Sequence, residues 1–213
     1  RVAGQLGRMR ERYKPRLACI ACNTASTIAL GMVREVLELP VVGTVPAIKP
    51  AAEMSTTGVI GLLGTAGTVR QPYVDRLEAE FAKDKQLIRF PAPGLVDIAE
   101  AKAAGEAISI ENVRQEVAGL LDAESAGEID TIVLACTHFP LLQEELGQVF
   151  GPSVQFIDGS KGIARRIAFL TQEEPIERTS PDFAVVTGQP SPKELGRLKK
   201  QFSPYNLSEI RVF

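Results

Sequence analysis

Short apolar runs recur along this chain at positions 16–21, 41–45, 58–63, 86–90, 130–135, 154–157 and 182–187. Longer stretches with apolar residues at three- to four-residue steps fall between most of them, at 24–38, 68–83, 111–124, 140–150 and 160–171. Period-2 or fully apolar runs alternating with period-3.6 segments predict strands alternating with helices. That pattern builds parallel sheets covered by helices on both faces. Runs such as "TIVLA" and "GVIGLL" carry almost no polar residue, as strands buried on both faces require. The fold class expected is therefore α/β. Before the first run, Val2, Leu6, Met9 and Tyr13 mark one face of a helix, so the sequence opens inside a helix. Two lobes are expected, one from residues 1–45 plus 156–213 and one from 46–155, with the proline-rich "PVVGTVPAIKPA" as the hinge. "TQEEPIERTSPDF" reads as a surface connection.

The bulk properties narrow the function. The 213 residues carry 24 Lys plus Arg against 26 Asp plus Glu, a formal charge of −2. No basic field of the kind nucleic-acid binding needs is present. No apolar stretch approaches the roughly 20 residues of a membrane span, and no signal peptide is recognisable. The three cysteines are an odd count that suits a reducing compartment, so a cytoplasmic location is expected.

Two of those cysteines end apolar runs in the same way. "LACIACNTAS" stops at Cys22-Asn23-Thr24, and "TIVLACTHFPLL" stops at Cys136-Thr137-His138. Right-handed crossovers place the loops that follow parallel strands on one edge of a sheet, where ligands bind. Both thiols fall at such an edge, each just before a helix. A thiol near a helix N-terminus is favoured as thiolate by backbone N–H groups and the helix dipole. Asn23 and Thr24 are good N-cap types, and capping is their simplest role. Buried structural thiols are the plain alternative, but the repetition argues for chemistry. Two thiols on two lobes suit a reaction that needs an acid and a base on opposite faces of one carbon, such as racemisation.

Other readings compete. Cys19 and Cys22 form a Cys-x-x-Cys pair, and with Cys136 and His138, the only histidine, they would complete a zinc set. Cys19 lies within the strand, however, and residues three apart in a strand point to opposite faces. Cys19 is therefore expected to be a small buried apolar residue, and no metal is expected. "GLLGTAGT" lacks the Gly-Lys-Ser/Thr ending of a phosphate loop and the glycine spacing of a dinucleotide turn. It reads as a tight strand-to-helix turn. Asp158 in "FIDGSKGIA" reads as a cap or lobe contact.

"ACNTAS" and "ACTHFPLL" together resemble the paired motifs of the cofactor-independent glutamate racemases within the aspartate/glutamate racemase superfamily. The resemblance extends to "VVGTVPAIKPA", "GVIGLLGTAGTV" and "PAPGLVDIAE", covering most of residues 10–165. It implies an active site between two lobes, no cofactor, glutamate as substrate and D-glutamate for peptidoglycan as product. It implies Cys22 and Cys136 as the two bases, His138 beside Cys136, and Glu100 as a carboxylate assisting the second thiol. A solvated helix carboxylate is the alternative for Glu100. Asn23, Thr24, Thr137, His138 and Thr68 are implied on the substrate, and a homodimer is possible. His138 directly after Cys136-Thr137 looks more like the glutamate enzymes than the aspartate ones. A racemase of aspartate or another small amino acid, and a thiol- or zinc-binding or inactive module, remain as alternatives. The family's opening Asp-Ser-Gly strand and Pro-Tyr-Gly loop have no counterpart in these residues. They are expected in a preceding segment of the parent protein, without which this chain is expected to lack activity.

Overall fold

A computed structural model describes residues 1–172, 177, 180–207 and 209–213. In chain order the elements begin with α1 (Val2–Tyr13), β1 (Ala18–Ile20), α2 (Asn23–Val36), β2 (Val41–Gly43) and α3 (Ile48–Met54). They continue with β3 (Val59–Gly64), α4 (Ala66–Val69), α5 (Pro72–Phe81), β4 (Gln86–Pro91), α6 (Gly94–Ala103), α7 (Ile110–Glu116) and α8 (Ala118–Leu121). Then come β5 (Thr131–Ala135), a 3-10 turn (Phe139–Leu142), α9 (Gln143–Phe150), β6 (Gln155–Ile157) and α10 (Ser160–Thr171). The chain closes with β7 (Phe183–Val186), α11 (Pro192–Phe202) and β8 (Glu209–Val212).

Every strand pair is parallel, as the α/β reading requires. The largest sheet has the order β4-β3-β5-β6. Its central strands β3 and β5 are buried along their whole length. The pleat explains the continuous apolar runs. Ile60 and Leu62 of β3 pack on one face with Ile48, Val74 and Val133. Val59 and Leu63 pack on the other with Leu95, Leu120, Ile132 and Phe139. Gly61 keeps that second face open, because a Cβ there would press on Ile132 and Leu120 at 3.1 and 3.2 Å. The expected lobe boundary at 155/156 runs through β6, which pairs with β5.

The second sheet is only the pair β1-β2. Ile20 and Val41 pack there against Val33 of α2, with Val2 and Leu6 of α1 alongside. Both helices thus lie on the Ile20 side, and the opposite side of β1 is uncovered. Cys19 is therefore exposed, not buried as expected, because the expectation assumed helices on both faces. α2 also shows an apolar stripe to solvent: Ile28, Met32 and Val36 are each about three-fifths exposed. The third sheet is the pair β7-β8, joined through α11. It docks on α1 through the Tyr13 ring, whose centroid lies 5.5 Å from that of Phe183 and 6.2 Å from that of Phe213.

Three expected helices divide, and the segment 111–124 becomes α7 and α8 with a break at Val117. The segment 68–83 splits into α4 and α5, because Pro72 has no N–H for a continuous ladder and instead opens α5 at its first position. The segment 140–150 begins as a 3-10 turn containing Pro140 before α9 takes over. Part of the expected surface connection at 171–183 lies outside the described residues. Among the described residues no helix is long and apolar enough to cross a membrane.

Candidate active site

Cys22 leaves β1 and becomes the N-cap of α2, with an extended backbone (φ −146°, ψ 118°). Its sulfur accepts the Ala25 N–H at 3.5 Å. Sequence reasoning gave capping to Asn23 and Thr24, but the thiol itself caps and these two sit in the first helical turn. A sulfur in that position meets the positive end of the helix, and the contact strengthens as negative charge builds on it. Cys22 is exposed. Ser26, one turn on, fixes this corner: its hydroxyl donates to Ile20 O at 3.0 Å and accepts Thr44 N–H at 3.1 Å. Ser26 ties the end of β1 to the end of β2, a role that nothing in the motif signalled.

Asn23 is buried, and its Oδ1 has no hydrogen-bond partner among the described residues. Thr24 joins α2 to the start of α4. Its hydroxyl lies 2.9 Å from that of Thr65 and 2.9 Å from that of Thr68, and the last two are 3.2 Å apart. Thr68 is fully buried. With Asn23 next to Thr24 in the chain, the structure thus brings Thr24 and Thr68 together and adds Thr65. The Thr-x-x-Thr spacing in "GTAGT" could have indicated it, since residues three apart share a helix face. Gly67 permits the approach: a Cβ there would sit 3.1 Å from the Thr24 methyl.

Cys136 follows β5 and is buried at 8% exposure. Burial pushes its thiol pKa up, the backbone N–H groups of His138 and Phe139 pull it down, and the nearby Cys22 pushes it up again. Both cysteines are free thiols. Thr137 is exposed beside Cys136.

The Cys136 sulfur lies 3.7 Å from His138 Nδ1, and His138 Nε2 lies 2.9 Å from Glu100 Oε1. Glu100 comes from α6, so this contact joins two elements of the larger lobe. Burial pushes the Glu100 carboxyl pKa up, but hydrogen bonds from Gln201 and His138, with the charges of His138 and Arg197, outweigh it and leave the pKa lowered. A carboxylate only accepts, so His138 must donate from Nε2. In the neutral imidazole this leaves the Nδ1 lone pair facing the Cys136 thiol. Sulfur, imidazole and carboxylate therefore form a directed relay that can take or return one proton. Glu100 is accordingly a partner of His138, not a free surface carboxylate.

Other expected residues have structural roles. Asp158 accepts the Ser160 N–H at 2.6 Å and steadies the start of α10. Among the described residues no group of three or more His, Cys, Asp or Glu side chains could hold a metal ion.

A parallel α/β protein with a thiol just past each of two strand ends, one of them linked to an imidazole and a carboxylate, is the class that the fold and site define. The family model described as Asp/Glu/Hydantoin racemase matches residues 2–167, and the chain belongs to that family. It is 63% identical over 171 residues to the glutamate racemase of Sphingopyxis alaskensis, covering 80% of this chain and 64% of that protein. It is 43% identical over 182 residues to the glutamate racemase of Escherichia coli, covering 85% of this chain and 63% of that protein. The chain thus spans a little under two thirds of the length of these curated relatives. The solved structure of Escherichia coli glutamate racemase in complex with L-glutamate and the activator UDP-MurNAc-Ala superimposes with a TM-score of 0.90 and 37% identity. The match covers all of this chain and 79% of that one.

Proposed function

We propose that this chain carries the two-thiol site of a glutamate racemase that interconverts L- and D-glutamate and supplies D-glutamate for peptidoglycan. The observation that carries the reading is the Cys136–His138–Glu100 chain of contacts, with Cys22 just past a second strand end, in a chain 63% identical to a glutamate racemase. One sulfur, as thiolate, takes the α-proton and becomes a thiol, leaving the electron pair on the α-carbon and its carboxylate. The other thiol gives its proton to the opposite face and becomes the thiolate. Reversing the substrate's handedness exchanges the two roles, and the sum is inversion with no net proton change. The reading calls for no cofactor.

Cys136, His138 and Glu100 act on one face and Cys22 on the other. The unpartnered Asn23 Oδ1 is an acceptor for the substrate ammonium, and Thr24, Thr68, Thr137 and His138 receive its carboxylates. We assign the protein to the cytoplasm, with the division between lobes close to β6 and a second copy as the candidate partner. Circular dichroism of L- and of D-glutamate, followed with the intact gene product, should decay to zero from both sides. Turnover of aspartate without glutamate would move the protein to a neighbouring racemase, and no turnover of either would overturn the reading.

A second ligand is favoured by a cavity of about 710 Å³ behind β2. It is lined by Lys49, Lys161, Arg165 and Arg166, with Asp158 as its one acid. We infer that an anionic activator of the kind named for the Escherichia coli structure binds there. Arg166→Glu should abolish any stimulation by UDP-MurNAc-Ala while sparing the basal rate; unchanged stimulation would refute this.

A further inference from the structure

Glu100 is held on both carboxylate oxygens, and only one partner belongs to the motif. Oε1 takes the His138 N–H, while Oε2 accepts the side-chain amide of Gln201 at 2.6 Å. The same amide nitrogen lies 3.4 Å from the Glu100 backbone oxygen. Gln201 therefore brackets the residue at both ends of its side chain and restricts it to one rotamer. It sits on α11, 101 residues further along the chain.

That helix is itself well fixed. Ser191 and Glu194 close its N-terminus with a reciprocal capping box, and Pro192 stands in its first turn. The flanking β7-β8 pair is anchored on α1 through Tyr13, Phe183 and Phe213. An acceptor-only carboxylate needs donors, and an amide supplies one without adding charge. A carboxylate held at one oxygen would be free to turn and release the imidazole.

We propose that Gln201 is a positioning residue of the acid/base site, acting through Glu100 and His138 on Cys136, so that the unit β7-α11-β8 belongs to the catalytic machinery. The proposal rests on the racemase reading above. The charged or titratable groups that face Glu100 are His138, which caps the 3-10 turn, and Arg197 and Glu194 from α11.

Gln201→Met keeps the length and removes the donor. Loss of one hydrogen bond to a charged group should lower kcat about 5- to 10-fold, with KM nearly unchanged. The acid limb of the kcat–pH profile should move up, because Glu100 loses a donor that favours its anion. Gln201→Lys, which can still donate, should recover most of the rate. Adding Gln201→Met to Glu100→Gln should cost little more than Glu100→Gln alone, as expected of residues acting in series. A second readout needs no turnover. His138 is the only histidine of these 213 residues, and selective 15N labelling, with signals assigned against His138→Gln, follows its ring nitrogens. The wild-type spectrum should show the Nε2-protonated tautomer, and Gln201→Met a mixture. A Gln201→Met variant with unchanged kcat and an unchanged His138 spectrum overturns the proposal. So does a loss that tracks melting temperature alone and is not recovered by Gln201→Lys. If the wild type fails to racemise glutamate the functional reading falls, while the His138 spectra still decide whether Gln201 controls the imidazole.

Discussion

Replacing Glu100 by Gln changes charge with little change of shape, which isolates what the carboxylate contributes. When His138 accepts the thiol proton it becomes an imidazolium whose Nε2 lies 2.9 Å from Glu100. At about 4 Å between charge centres and an effective dielectric of about 20, their attraction is roughly 4 kcal/mol. The two side chains are 35% and 40% exposed, so solvent screening reduces this to about 1–2 kcal/mol. At 1.36 kcal/mol per tenfold, Glu100→Gln should slow racemisation by about 5- to 30-fold. The fold should tolerate the change: the oxygen of the introduced amide can still accept the His138 N–H, and the Gln201 amide can turn to accept from the new donor. The sign with pH follows from the lowered pKa of Glu100. The carboxylate is ionised through the neutral range, so the difference between wild type and variant is full there. It closes as pH falls through that lowered value. Polarimetry on L- and D-glutamate across pH, with thermal melts to establish equal folding, makes the measurement. A folded Glu100→Gln enzyme within about twofold of wild type at neutral pH would refute the electrostatic role of Glu100.

Other consequences are equally direct. Cys22→Ala and Cys136→Ala should each abolish racemisation in both directions in the intact gene product, measured by loss of optical activity; wild-type turnover in either refutes the two-base scheme. Either variant should still be able to exchange the α-proton of one enantiomer in D₂O, read by NMR, because the surviving sulfur can abstract without completing inversion. Asp130 accepts the backbone N–H groups of Thr56 and Thr57 and the Thr56 hydroxyl at 2.7–2.9 Å, and its pKa is depressed far below the carboxylate range. Asp130→Asn should cost about 1–2 kcal/mol above the ordinary carboxylate pKa, and the wild-type and variant denaturation midpoints should converge as pH falls through the depressed value. With Cys19 and Cys22 exposed and Cys136 only 8% exposed, a thiol reagent at mildly alkaline pH should modify the first two faster than the third, counted by mass spectrometry.

What the sequence disclosed follows the range of the physics involved. Most strands were legible because a strand buried on both faces must be apolar throughout, and β3 and β5 leave no ambiguity. The two thiol sites were legible because each sits where a strand pattern gives way to a helix, a local change visible within a short window. Helix breaks were harder. Pro72 marks one plainly, but apolar spacing alone ran across it. Cys19 was misjudged because burial depends on the second layer, and a strand cannot show whether its far face is covered. β8 and α11 escaped notice, β8 because it is only four residues long and α11 because it is strongly polar. Gln201 could not have been found at all: its meaning lies in a contact with Glu100, and no local pattern in α11 points toward α6.

The matching sentences around Cys22 and Cys136 do not make matching sites. Cys22 is exposed and capped into a helix start, so water and the Ala25 N–H can support charge on it. Cys136 is buried, and desolvation opposes its charge. Burial leaves the Cys136 thiol holding its proton more tightly than a free thiol, and its ionisation calls for a proton acceptor beside it. The imidazole and carboxylate stand beside the thiol that needs them. His138 offers Nδ1 to the Cys136 proton, and Glu100, steadied by Gln201, supports the imidazolium that results. On the racemase reading, the relay offsets part of the cost of charging Cys136 in its buried setting. On the same reading each sulfur is supported by different physical means: Cys22 by solvent and a helix start, Cys136 by an imidazole and a carboxylate.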